Sequence, residues 1–555
     1  MIQEIKQKIK QRPELFIILS FLLLSILVIT PVYLYSQQIL IGDDYHFHQN
    51  RIEGLAQSIA NGIWFPKVNH FFIGGYGYAS SLFYPDFYLY IPALLRIIGL
   101  PLSATYIIFT ILLNLATLVV TYLSGKIMDL SSKKSYLFSL LYTLSIYRLQ
   151  DLINRQAIGE VIAITFLPLA LAGMYELKNK INPRWWILTI AMTGIGLAHI
   201  ISIEMMTLFI MLFMIFNWKK FASNKIFLNL IKAGTLTILL LSFFLFPILE
   251  QFIHSNFQVT TNPLVKLSDR SLEPLNLIKN SLTNAVFHAS TGNIGIVLFV
   301  GLILYTAVLL KMRKKTENSD IIILSIFLFI LTTTLFPWQL VNQTFLNTIQ
   351  FPWRYLSFVS LLVSYLLAND QIGIFKKWKS SYYIMMGMTV FLALGYGTKV
   401  VLAQQNRVLS YEKYNQTNSY YIGAGHEYLP EQTNYDELRK YKNRPLVYSE
   451  KKIKISNQSQ TFATYSFDYK VKGTDEVTVT VPFVYYYGYQ ATVEATKEKL
   501  PLTINPETGL VSVVLKGQGR VKIDYQLTLI QNIATTISLV SVVGCLWYLV
   551  KQRRK

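Results

Sequence analysis

Long apolar runs separated by short polar loops fill most of the chain. They fall at about 17–35, 104–125, 135–147, 157–177, 185–198, 202–218, 226–249, 292–310, 321–337, 355–369, 381–402 and 529–550. Each predicts a helix at or near the length that crosses a bilayer, giving about twelve transmembrane helices. The stretch Tyr84–Leu100 breaks the pattern. It is short, carries Asp86 and Arg96, and is interrupted by Pro85, Pro92 and Pro101. A helix lying on, or dipping into, the outer leaflet suits it better than a crossing. Between the last two runs the period changes. Thr461–Phe467, Val477–Val481 and Leu510–Leu515 alternate as strands, punctuated by Gly473, Asn505-Pro506 and Gly517-Gln518-Gly519. The predicted organisation is a transmembrane module over 1–403 with a first outer loop at about 37–103. A β-sandwich-like domain over 404–528 follows, then a final helix and basic tail over 529–555.

At 52% hydrophobic and 14% aromatic residues, this is the composition of a polytopic α-helical membrane protein. A net charge of +21 would suggest nucleic acid, but its distribution argues otherwise. Lys and Arg cluster at Lys126/Lys133/Lys134, Lys178/Lys180/Arg184, Lys219/Lys220/Lys225, Lys311–Lys315, Lys376/Lys377/Lys379 and Lys551–Lys555. These clusters occupy alternate gaps between the apolar runs, as expected of cytoplasmic loops. With Lys6, Lys8, Lys10 and Arg12 before the first run, both termini are placed in the cytoplasm. The first run exceeds a signal-peptide core and lacks a cleavage site, so it should remain as a helix. Cys545 is the only cysteine, which excludes a disulfide framework and a thiolate metal site.

This topology gathers the ionisable groups at the outer face. Asp43, Asp44, His46 and His48 follow the first helix; Arg148, Asp151, Arg155 and Glu160, then His199, Glu204 and Arg354, mark later outer turns. Charges at membrane depth are costly and usually face a polar cavity. The plain alternatives are that the two acids mark a solvated helix end, that Glu160 begins a helix where a carboxylate suits the dipole, and that Arg155 and Arg354 snorkel to the interface. His46 and His48 have strand spacing and, with Asp43 or Asp44, could ligate a divalent metal. Lys67 and His70 read as ordinary loop residues. No Gly-rich loop suited to a nucleotide phosphate is present in the sequence.

An acidic pair in the first outer loop resembles the mark of the GT-C superfamily of polyprenyl-phosphate-sugar-dependent glycosyltransferases. More narrowly, the chain resembles bacterial YfhO-type membrane proteins. The matching segments are Gly42-Asp43-Asp44, Gly74–Gly77 through Phe83-Tyr84-Pro85, Arg155–Glu160 followed by Phe166–Leu169, Pro352–Tyr355, and Val481–Tyr489 in the tail. Gly488-Tyr489 stands where that family shows Gly-Trp. The resemblance implies an enzyme facing outward from a bacterial plasma membrane. It would move one sugar from a polyprenyl-phosphate donor to a cell-envelope glycan, lipid or protein, with inversion. Asp43 or Asp44 would be the base, with Asp43, the nearer to the membrane, favoured. Arg155 and Arg354 would hold the donor phosphate, supported by His46, His48, Glu160, His199 and Tyr76. Tyr76, with Phe71, Phe72 and Tyr78, would stack on sugar or prenyl chain. Two rivals remain: a flippase or transporter of lipid-linked glycan, which predicts charges at the bundle midplane, and a non-catalytic envelope-binding scaffold.

Overall fold

The computed structural model describes residues 13–33, 38–261, 265–286, 292–311, 318–440 and 442–553. The basic stretch Lys6–Arg12, most of the Lys311–Lys315 cluster and the last two residues, Arg554 and Lys555, lie outside the described residues. Seven described helical stretches are long and apolar enough to cross a membrane. Six are single helices: α1 (Pro13–Tyr33), α2 (Leu102–Ile127), α3 (Ile158–Asn179), α4 (Asn224–His254), α6 (Lys379–Ala403) and α7 (Leu529–Arg553). The seventh, Pro352–Lys377, has α5 (Leu356–Asn369) as its main helix. All seven coincide with apolar runs of the sequence. The runs at 185–198, 202–218, 292–310 and 321–337 form helices of only 10–17 residues, so seven of the about twelve expected crossings have full spanning length among the described residues and these four are shorter.

The run at 135–147 is broken, and the break is instructive. Ser131 caps the helix Ser132–Thr143 by accepting from the Lys134 N–H, but that helix stops at Thr143. A single turn, Ile146–Leu149, leads into a π-helical stretch, Gln150–Arg155, closed by Gln156 in the left-handed conformation (φ 56°). Such wide turns re-aim side chains and recur at functional sites. Here the turn carries Asp151 and Arg155.

The chain forms two compact units. One comprises Met1–Tyr45, Pro101–Thr237 and Val265–Gln416; the other comprises His46–Leu100, Ile238–Leu264 and Thr417–Lys555. The first unit is helical apart from a short antiparallel pair, β1 (Gln38–Leu40) with β2 (Val408–Ser410). α3 lies within it, buried over most of its length.

The second unit holds the tail strands in two antiparallel sheets. These are β3 (Ile453–Gln460), β4 (Thr464–Val471), β5 (Val477–Val484), β6 (Tyr489–Val493), β7 (Lys499–Leu500), β8 (Leu502–Ile504), β9 (Leu510–Leu515) and β10 (Gln518–Tyr525). The orders are β3-β4-β10-β6-β7 and β5-β9-β8. Register follows the alternation: Val479 faces Val513, and Val521 pairs with Phe467 and Val493. Pro482, which cannot donate to the ladder, sits where the β5–β9 register shifts between Val481 and Val484. Predicted strand 461–467 begins instead at Thr464, because Thr461 closes a turn by donating to the Thr464 carbonyl. Both sheets share one apolar core with Val68, Phe72, Tyr76, Tyr78 and Phe83. Tyr90–Ile97, in the same unit, is about 12 Å long at 1.5 Å per residue, too short to cross. It leaves Ile91, Leu94 and Ile98 exposed on its apolar side.

His70 is embedded in this core. Its Nε2 pairs with the Tyr489 hydroxyl at 2.9 Å. Burial, then the charge of Arg444, pushes its pKa down to about 3 from 6.5. The folded unit holds the ring neutral, whereas the unfolded chain protonates it below about pH 6.5. Stability is therefore lost as pH falls from about 6.5 toward about 3. His70→Gln, which keeps a hydrogen-bonding group for Tyr489, should flatten that decline in melting temperature measured against pH. An unchanged acid profile in the variant would assign the decline to other groups.

Candidate active site

The acidic pair is fixed by backbone rather than left on a loose loop. The β1–β2 ladder continues through Ile41, whose N–H donates to the Arg407 carbonyl at 2.8 Å. Gln156 then bridges the turn: it accepts from the Gly42 N–H and donates to the Leu40 carbonyl, both at 2.9 Å. The Asp44 N–H donates to the Arg155 carbonyl at 2.9 Å. A Cβ on residue 42 would stand 2.5 Å from that same carbonyl oxygen, so Gly42 is required by close approach. The two carboxylates remain accessible, with side-chain exposures of 40% for Asp43 and 42% for Asp44.

Behind the pair lies a buried charge cluster in the first unit. Arg155 Nη1 reaches Asp151 Oδ1 at 2.6 Å and Glu160 Oε2 at 3.1 Å; its Nη2 is 3.5 Å from Asp44 Oδ2. Arg354 Nε meets the same Glu160 oxygen at 3.1 Å, and its Nη1 donates to the Ile349 carbonyl at 2.8 Å. Tyr147 donates to the other Glu160 oxygen at 2.8 Å. The Phe351 ring, stacked on Trp353, faces both guanidiniums at 5.9 and 4.9 Å. Asp151 Oδ2 is buried with no partner among the described residues. Burial, then Glu160, raises the Asp151 pKa against the opposing charge of Arg155. Arg155 and Arg354 are thus faced by three carboxylates, Asp44, Asp151 and Glu160. Although part of Asp44 reaches the surface, the protein displaces water from its other sides and raises its pKa. Arg155 lowers it and Asp43 raises it further.

The structure brings together Asp43, Asp44, Arg155, Glu160 and Arg354, five residues the sequence singles out. It adds Arg407, which the sequence does not single out. Arg407 Nη2 donates to Asp43 Oδ1 at 2.7 Å. Only its position in the polar segment after α6 could have drawn attention to it. His199 is buried in the same unit, with Nδ1 2.8 Å from the Ser202 hydroxyl.

His46 and His48 lie in the helix Tyr45–Ala60, not in a strand. Two positions along a helix turn the side chains roughly 200° apart, so the two rings do not converge. His46 stacks on Tyr421, while His48 pairs with Arg51 at 3.4 Å. Among the described residues no group of three or more His, Cys, Asp or Glu side chains could hold a metal ion. Tyr76 is buried in the core of the second unit, where its ring is spent on packing. Arg51, also not foreseen, is buried there in a salt bridge with Asp86 at 2.7 Å.

Residues 82–401 match a family profile described as 6-pyruvoyl-tetrahydropterin synthase related domain, membrane protein. The chain belongs to this family. An uncharacterized protein of Lactococcus lactis subsp. cremoris (strain MG1363) is 23% identical across 97% of this chain and 95% of its own length. Among solved structures, the mycobacterial arabinofuranosyltransferase AftD aligns with 71% of this chain at 12% identity and a TM-score of 0.43. This chain spans about a quarter of that enzyme, covering 27% of it. ArnT from Cupriavidus metallidurans, bound to undecaprenyl phosphate, aligns with 78% of this chain and 69% of its own at 13% identity (TM-score 0.40). The Archaeoglobus fulgidus oligosaccharyltransferase, in complex with zinc and sulfate, aligns with 73% and 53% at 15% identity (TM-score 0.35).

Proposed function

We propose that this family member is an integral-membrane glycosyltransferase of the GT-C type, of the kind its YfhO-like motifs imply. It acts at the outer face of a bacterial plasma membrane and moves a sugar from a polyprenyl-phosphate donor to a cell-envelope glycan, lipid or protein. The observation that carries this reading is an accessible carboxylate, Asp44, electrostatically joined to two buried guanidiniums through Arg155 and Glu160. In the reaction the acceptor hydroxyl attacks the anomeric carbon, its proton passes to Asp44, and the sugar–phosphate bond breaks with its electron pair on the phosphate oxygen. Protonation of Asp44 removes one negative charge from beside Arg155. The guanidinium charge is then less compensated as charge builds on the leaving phosphate, the moment at which it lowers the barrier.

Incubating the purified protein with labelled polyprenyl-phosphate sugars and an envelope extract should yield labelled envelope product. Cells lacking the protein should lose one sugar from an envelope glycan. A flippase would instead give no transfer in detergent and an accumulation of intact lipid-linked glycan in the deleted strain, which would overturn the enzymatic reading.

A further inference from the structure

A polar cavity, of about 300 Å³, opens in the first unit at the other ends of the helices that carry the charge cluster. α3 bears Glu160 at its start, while Tyr175, Lys178 and Asn179 near its end line the cavity. Eighteen residues separate Glu160 from Lys178, about 27 Å along the axis at 1.5 Å per residue. α5 repeats the arrangement, with Arg354 just before its first residue and Tyr365 and Asn369 near its last. The cavity is thus distinct from the acidic pair, and the Lys and Arg pattern assigns this end to the cytoplasm.

The charges of the wall can be accounted for one by one. Lys178 is spent on Asp320 at 2.6 Å, and Asp129 is held by Lys180 at 2.5 Å and by the Tyr175 hydroxyl at 3.1 Å. Both Asp370 oxygens accept backbone N–H groups, from Ile374 and Phe375, at 2.7 and 2.9 Å. Two groups on the wall stand out. Lys134 meets only the Asn369 carbonyl and forms no ion pair among the described residues. Asn318, 5% exposed, has an amide nitrogen with no partner among the described residues. A buried amide donor without a partner is costly, and a cation lining the same cavity favours an anionic acceptor.

We infer that this cavity binds a phosphate group on a small hydroxylated body, a glycerol- or sugar-phosphate, free or as the headgroup of an inner-leaflet lipid. Lys134 and Asn318 hold the phosphate oxygens. Asn179 offers a polar edge to the hydroxyls, and the volume is that of a small-molecule site.

The full-length protein in phosphatidylcholine nanodiscs is titrated with glycerol 3-phosphate by calorimetry. Phosphatidylglycerol is presented in parallel, and bound lipid is counted by native mass spectrometry. Saturable binding of the soluble probe identifies a free metabolite; retention of phosphatidylglycerol alone identifies a headgroup. In either case Lys134→Met and Asn318→Asp should weaken binding about tenfold or more, while Lys134→Arg should keep most of it. If Lys134→Met does not fold, Asn318→Asp decides, because it preserves shape and sets a carboxylate against the phosphate. The inference is overturned if neither probe binds saturably, or if the folded variants bind as the parent does.

Discussion

Asp44→Asn should lower glycosyl transfer by about 10²–10⁴-fold, the usual cost of losing a general base, with little change in melting temperature. The substitution keeps shape and hydrogen bonding, and its Arg155 contact is long at 3.5 Å, so the fold loses little. Position along the chain favours Asp43, but Asp43 is engaged by Arg407 at 2.7 Å, which occupies one of the oxygens an acceptor hydroxyl would need. Asp43→Asn should therefore cost clearly less than Asp44→Asn. The pH profile supplies a second check. A base must be ionised to act, and the Asp44 pKa is raised above its ordinary 3.8. Activity should accordingly fall on acidification at a pH above the normal aspartate range, and Asp44→Asn should abolish that limb. Near-normal transfer by folded Asp44→Asn would move the base elsewhere.

The parts of this site that the sequence reveals share one property. Asp43, Asp44, Arg155, Glu160 and Arg354 are ionisable residues beside long apolar runs, where the cost of burying charge makes each conspicuous. What stays hidden depends on contacts distant in sequence. Arg407 meets Asp43 because residues 38–40 pair with 408–410, and strands of three residues leave too little alternation to recognise. The histidines mislead for a related reason: His46-Phe47-His48 alternates as a strand does, yet the segment continues as the helix Tyr45–Ala60. The seven long helices were legible because length and apolar composition suffice. The run at 135–147 was equally apolar, but no sequence pattern announced the break after Thr143 or the π turn beyond it that brings Arg155 to Glu160. In the tail, β5 and β9 were visible from their valines. β3, Ile453–Gln460, has a mostly polar, exposed surface and was not. Nor did the aromatic residues 71–78 reveal that Tyr76 and Tyr78 complete the core of the sheets.

Arg155→Ala should destabilise the protein by about 3–5 kcal/mol, the range found when one partner of a buried ion pair is removed. An arginine that merely snorkels at the interface would lose far less, since lysine could replace it. Here one guanidinium touches Asp151 and Glu160 and lies beside Asp44, with a side-chain exposure of 7%. Arg155→Lys cannot reproduce a planar fork that addresses several carboxylates at once and should recover only part of the loss. Arg354→Ala should cost less, because Glu160 keeps Arg155 and Tyr147 as partners. The double variant Arg155→Ala with Glu160→Gln provides the discriminating measurement. Removing one of the stranded charges should restore part of the melting temperature, a non-additivity expected only for residues in one network. Additive losses would show that Arg155 acts alone. Affinity for polyprenyl phosphate, measured on folded Arg354→Ala, then separates packing from ligand binding: a guanidinium that also holds the donor must give weaker binding even where the melting temperature is nearly kept.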